Sequence, residues 1–191
     1  RRKTKTWATV AMVAVLVAGT GVGVKGAKLY ILNVEKQEGG NAFDIITNTE
    51  DIRYVELNEE EAYEKIEEEL GILALRLTDR PKEMELGKVY IDAETGEALM
   101  EFYFDNGILS IYENKKNRNV SFNAQQDGVV VDTVEVFHLG KVVDITEFDK
   151  GNGEIFYTTQ LVHGNAFYYL SSDIEMEKLE SILYGIIFKN I

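Results

Sequence analysis

The stretch EALMEFYFDNGILSIYE, Glu97–Glu113, decides how this chain folds. Two aromatic and β-branched runs flank the tripeptide DNG, Asp105–Gly107, and that is the composition of two strands joined by a tight turn. Alternation along the first run sends Phe102 and Phe104 to one side and Tyr103 to the other. Working outward, the same signal recurs near Gly87–Asp92, Val120–Ala124, Val129–Phe137, Lys141–Glu147, Glu154–Val162 and Ala166–Leu170. The intervening AETGE (Ala93–Glu97), QDG (Gln126–Gly128), LG (Leu139–Gly140), KGNG (Lys150–Gly153) and HGN (His163–Asn165) all carry hairpin-turn chemistry.

Helices bracket this meander. In NEEEAYEKIEEELG, Asn58 is placed to cap, Glu61 to close a capping box, and Gly71 to end the helix, with Tyr63, Ile66 and Leu70 forming a narrow apolar stripe. The glutamates between them read as a solvated face, not a metal site. A second helix is expected from Ser172, paired with Glu175 as another capping box, through Met176, Leu179, Ile182, Leu183 and Ile186. The expected fold is therefore α+β: a curved antiparallel sheet of about seven to eight strands with two helices packed on one face, preceded by one transmembrane helix.

That transmembrane helix is read from WATVAMVAVLVAGTGVGV, Trp7–Val24, eighteen residues without a charge. At about 1.5 Å per residue it covers roughly 27 Å, just enough for a hydrocarbon core of about 30 Å. RRKTKT precedes it, so Arg1, Arg2, Lys3 and Lys5 are expected to hold the amino terminus in the cytoplasm, with Trp7 at the lipid boundary. The expected division is a basic cytoplasmic stub at 1–6, the span at 7–24, a stalk with an incoming strand at 25–56, and an extracytoplasmic α+β domain at 57–191. Leu29–Val34 supplies the incoming strand, and Gly39 and Gly40 mark a loop behind it. Two other readings of the apolar run compete: a signal peptide cleaved near Gly19, which would leave a secreted protein, and a buried core helix. Gly19, Gly21 and Gly23 weaken the core-helix reading, because glycine destabilises a helix in water.

Charge supports this division. Residues 1 to 28 contain Arg1, Arg2, Lys3, Lys5, Lys25 and Lys28 and no acid, so of 20 basic residues 14 remain against 33 acids, a net of −19 for the rest. A surface this acidic repels phosphate backbones, and nucleic acid is not expected as a partner. The absence of cysteine excludes disulfides, thiolate metal sites and cysteine nucleophiles. His138 and His163 sit at expected turns without companion ligands, so no metal site is expected. Ser110, Ser121, Ser171, Ser172 and Ser181 lie in no nucleophile elbow, and DKGNGE (Asp149–Glu154) lacks the alternating ligands of a calcium loop. The chain is expected not to be an enzyme, and no cofactor is expected. The remaining candidates for binding are aromatic: Tyr103, Tyr112, Tyr157 and Tyr168, on whichever sheet face the helices leave open.

Four segments together, NEEEAYEKIEEELGI, LRLTDRPKEMELGKVYID, EALMEFYFDNGILSIY and GNAFYYLSSDIEMEKLESILYGI, cover roughly residues 57 to 188. In that combination the chain resembles the family called domain of unknown function 4367, the extracytoplasmic part of membrane proteins in low-GC Gram-positive bacteria. The resemblance carries no catalytic residues. Some members resemble anti-sigma factors, which implies a sensory or regulatory ectodomain reporting through its span to a cytoplasmic regulator, or to a protein partner in the envelope. The alternative is a module that binds or carries an envelope lipid, glycan or peptide in a concavity between sheet and helices. Membrane lipid is the expected partner of 7–24.

Overall fold

The computed structural model describes residues 55–105, 107–115, 128–149 and 155–189 in full, and the backbone of three earlier strands, β1 (Met12–Leu16), β2 (Leu29–Asn33) and β3 (Ile46–Thr47). These three form an antiparallel sheet in which Met12 lies opposite Asn33 and Leu16 opposite Leu29, with β3 on the far side of β2. Of the span expected at 7–24, only Met12–Leu16 is among the described residues, and its backbone is extended instead of helical. A continuous apolar run satisfies both templates, and its β-branched Val13 and Val15 favour the strand once Leu29–Asn33 offers a ladder. Among the described residues no helix is long and apolar enough to cross a membrane. Arg1, Arg2, Lys3, Lys5 and Trp7 lie outside the described residues.

Helix α1 (Glu59–Leu70) forms as its cap signals require. Asn58 Oδ1 accepts from the Glu61 backbone N–H and the Glu61 carboxylate accepts from the Asn58 N–H, both at 3.0 Å. Gly71 ends it at φ 64, in the left-handed region that glycine enters without steric cost. The expected stripe of Tyr63, Ile66 and Leu70 is buried together with Ala62.

The main sheet has seven strands among the described residues: β5 (Glu85–Asp92), β6 (Glu97–Phe104), β7 (Gly107–Asn114), β8 (Val129–Val136), β9 (Lys141–Asp149), β10 (Ile155–His163) and β11 (Ala166–Ser172). Their order is β5-β6-β7-β11-β10-β9-β8, antiparallel throughout. Two meanders thus meet where β11 returns beside β7, with Ser172 opposite Leu109. The strand expected at 120–124 lies outside the described residues.

Helix α2 (Met176–Tyr184) starts later than expected and without the capping box at Ser172 and Glu175. Ser172 is the last residue of β11: its hydroxyl donates to the Ile108 carbonyl at 3.0 Å and accepts from the Ile174 N–H at 3.2 Å. Serving the sheet junction removes that hydroxyl from the helix. Ile186 leaves the helix as well, because β12 (Ile186–Ile187) pairs with β4 (Arg76–Leu77), Ile186 opposite Leu77.

Both helices bury their apolar residues in one cluster with Met100, Phe102, Leu109, Ile111, Ile145 and Leu170. These strand residues share one parity of the sheet, since Met100 lies opposite Ile111, which lies opposite Leu170. One face of the sheet is therefore the helix face. The architecture is α+β, mostly antiparallel sheet with two helices.

Candidate functional site

Cross-strand register builds the opposite face, helix-free among the described residues, in rows. Tyr90, Leu99, Tyr112 and Tyr169 stand in one row across β5, β6, β7 and β11. Asp92, Glu97 and Asn114 form the row on one side of it, and Lys88, Glu101 and Ser110 the row on the other. Each row sits one pleat from the next, so the polar groups reach neighbours within a strand as well as across it.

The hydroxyls and carboxylates of these rows are joined. The Asn114 amide donates to Glu97 at 3.3 Å and to the Tyr112 hydroxyl at 2.8 Å, and the Thr95 hydroxyl donates to Glu97 at 3.3 Å. Tyr90 donates to Asp92 at 3.2 Å, Tyr103 to Glu101 at 2.9 Å, and the Lys88 ammonium stands 3.7 Å from Glu101. Glu97, Glu101 and Asn114 are buried, whereas Tyr90, Tyr103 and Tyr112 are half-buried above them. Burial, followed by the Glu101 charge, pushes the Tyr103 hydroxyl up to about 12. Burial, followed by the Glu97 charge, raises Tyr112 further. Both phenols therefore stay protonated across the physiological range; Tyr103 donates to Glu101, and Tyr112 accepts from Asn114.

Spacing limits what this arrangement does chemically. Glu97 and Glu101 are four residues apart on one strand, so their backbones are roughly 13 Å apart at about 3.3 Å per residue. That exceeds the about 5–9.5 Å between carboxyls that glycoside hydrolysis uses. The rows hydrogen-bond within the protein, and Glu97, Leu99, Glu101, Ser110, Asn114 and Tyr169 are buried in them. Among the described residues no group of three His, Asp or Glu side chains is placed to hold a metal ion.

Of the four tyrosines singled out from the sequence, Tyr103 and Tyr112 lie on this face. Tyr157 and Tyr168 do not. Register places Tyr157 opposite Ser172 and Tyr168 opposite Leu161, on the helix face, where Tyr168 is fully buried and donates to the Leu73 carbonyl at 2.6 Å. Their neighbours Phe156 and Tyr169 take the helix-free side. A single-residue difference in parity reverses the face, and it is set by pairing with β7, which aromatic content does not reveal. Tyr90 and Tyr169 were missed for the same reason: they join the row only through Leu99 and Tyr112.

Two further clusters stand on the helix face. Arg76 reaches Glu60 at 2.8 and 2.9 Å and Glu67 at 3.3 Å, and its guanidinium lies 4.6 Å from the Tyr63 ring centroid. This ties α1 to β4 and, through the Arg76 hydrogen bond, holds the Glu60 carboxyl below its ordinary range. Beside it Glu113 is fully buried, accepting from the Leu75 N–H at 3.0 Å, and burial pushes its carboxyl up to about 8. His163 stacks on Phe188 at 4.3 Å, and burial lowers its imidazole from the ordinary value. His138 lies in the 3-10 turn that follows β8.

A family model described as domain of unknown function (DUF4367) matches residues 74–186. The match runs from just before β4 to the first residue of β12, and so takes in the whole seven-stranded sheet and α2 but not α1. No curated protein and no solved structure matches the chain significantly.

Proposed function

The chain belongs to the DUF4367 family, and from that premise we propose that it is a non-enzymatic, membrane-anchored extracytoplasmic domain with a sensory or regulatory role, part of an anti-sigma-type envelope signalling protein of a Gram-positive bacterium. The observation that carries this reading is family membership together with the uncharged Trp7–Val24 run and its basic flank. The junction supports it too. The Val55 N–H donates to the Val89 carbonyl of β5 at 2.9 Å, so the chain arriving from the amino-terminal side is fastened to the same sheet edge that carries Lys88 and Tyr90.

Anchoring rests on the apolar run and its basic flank. An open three-stranded sheet has unpaired edges that hydrocarbon does not tolerate, whereas a helix satisfies every backbone group internally. In lipid the Trp7–Val24 run is therefore proposed to be helical.

The alternative, an envelope lipid, glycan or peptide carrier with a concavity between sheet and helices, is less favoured. Ile66, Leu70, Leu179, Ile182 and Leu183 from the two helices are all at most 1% exposed in a shared core. A ligand would have to take the helix-free face instead.

Carboxy-terminal fusions in a Gram-positive host test the reading. A phosphatase that folds only outside the cytoplasm is expected to be active and membrane-bound, and a cytoplasmic galactosidase reporter inactive. The reverse pattern would sink it. Recovery of the phosphatase in the medium, lacking roughly the first 20 residues, would establish the secreted form instead.

A further inference from the structure

The far edge of the sheet, strand β8, shows no pairing on its outer side among the described residues. Val129, Val130 and Val131 at its start are 63%, 56% and 38% exposed. At its other end Phe137, 55% exposed, packs against Tyr184 of α2 with ring centroids 5.3 Å apart. A long edge with apolar residues at both ends is what proteins ordinarily blunt, because its unpaired N–H and C=O groups template another strand. Here the blunting is partial: a bulge at Val131 interrupts the register, and Asp132–Val136 runs on regularly beside β9.

Charge selects the occupant. Strands β8 and β9 carry Asp132, Glu135, Asp144, Glu147 and Asp149 against Lys141. The acids lie on both sides of the edge: Glu135 and Asp144 share the helix-free side, and Asp132 stands on the helix side, where it raises the Glu180 carboxyl of α2 after burial does. A second copy of β8 would bring Asp132 and Glu135 against the same acids and be repelled.

We infer that β8 is a docking edge for an extended segment of a partner protein, added as an eighth strand, with lysine or arginine at its centre and apolar residues at its ends. Backbone pairing would supply affinity, the acids would select a basic partner, and the valines and the Phe137–Tyr184 pair would hold the ends. The inference is independent of where the domain is anchored.

The test uses the full chain and a fluorescein-labelled octapeptide with lysine at its four central positions and valine at its ends, at low salt. Three comparisons read it: the same peptide N-methylated at alternate residues, a valine-glutamate counterpart, and the Asp132→Lys/Glu135→Lys variant, checked for unchanged thermal unfolding. Binding is expected to weaken at least about tenfold in each, and hydrogen exchange on peptide addition to slow at 129–136. Glu83→Lys, in the exposed turn before β5, should leave binding unchanged. Equal binding of the N-methylated peptide, protection elsewhere on the chain, or a dimer of the chain that Asp132→Lys/Glu135→Lys dissociates would each overturn the inference.

Discussion

Glu113 combines two properties that pull against each other, a carboxyl with no exposure and a position beside the Glu67 carboxylate. Its Oε1 accepts from Leu75 N–H, and its Oε2 has no hydrogen-bond partner among the described residues. Burial is the dominant cause of the shift, and it raises the folded-state value from 4.5 to about 8. A raised carboxyl favours the fold below its unfolded value. Between about 4.5 and 8 the unfolded chain releases a proton that the folded chain keeps, so stability falls by about 1.4 kcal/mol for each unit of rising pH. By pH 7 that amounts to roughly 3 kcal/mol. Glu113→Gln keeps an acceptor for Leu75 and cannot ionise. The melting temperature of this variant, relative to the native chain, should climb on the order of 10 °C between pH 5 and pH 8. Parallel melting curves over that range would show that Glu113 is ionised or hydrated in the fold. At the same scale, Tyr103→Phe and Tyr112→Phe each remove a hydroxyl that partners a group buried beneath it. Each should cost about 1 kcal/mol in urea unfolding, and the double variant should exceed the sum only if the two rows are coupled.

At the scale of elements, what could be read in advance was what is encoded locally. The Asn58, Glu61 and Gly71 signals act within one turn of the chain, and α1 forms between them as expected. Asn58→Ala should therefore cost about 1 kcal/mol in urea unfolding, with Asn58→Asp or Asn58→Ser restoring most of it. Gly71→Ala should cost a comparable amount, because alanine at φ 64 is strained. If Asn58→Ala leaves the unfolding midpoint unchanged, the cap bonds carry no net stability. The same kind of signal misled at Ser172, where the sheet claims the hydroxyl that the S-x-x-E spacing assigns to a helix. A local motif yields when a cross-strand partner, here Leu109, fixes the backbone first. The two-residue strands β4 and β12 carry no periodicity to read. The face of an aromatic in β10 or β11 depends on register with β7, some fifty residues away, and for that reason Tyr157 and Tyr168 lie on the helix face while Tyr103 and Tyr112 lie on the other.

At the scale of the whole molecule, the chain divides by charge and by length of apolar run, and the two divisions coincide near residue 28. Six basic residues precede that point without an acid, and a net of −19, from 14 basic against 33 acidic residues, follows it. An anionic bilayer, the partner proposed above, would therefore attract one end and repel the other. Each lysine or arginine near such a surface is worth about 1 kcal/mol at low salt, so the four in the first six residues supply about 4 kcal/mol. Apolar burial along Trp7–Val24 is salt-independent and should outlast it. The proposed anchor would be held mainly by apolar burial, and its rival, binding at the lipid surface, mainly by charge. The full chain mixed with vesicles containing phosphatidylserine should stay bound when salt is raised to about 1 M, where the screening length falls to about 3 Å, if the segment inserts. Release into the supernatant at that salt, with a circular dichroism spectrum that gains no helix on vesicle addition, would show instead that the β1–β3 sheet persists at the surface. The acidic domain should then be found at the vesicle surface only through those four charges, and Arg1→Glu/Arg2→Glu would abolish binding in the surface-bound case while only weakening its onset in the inserted one.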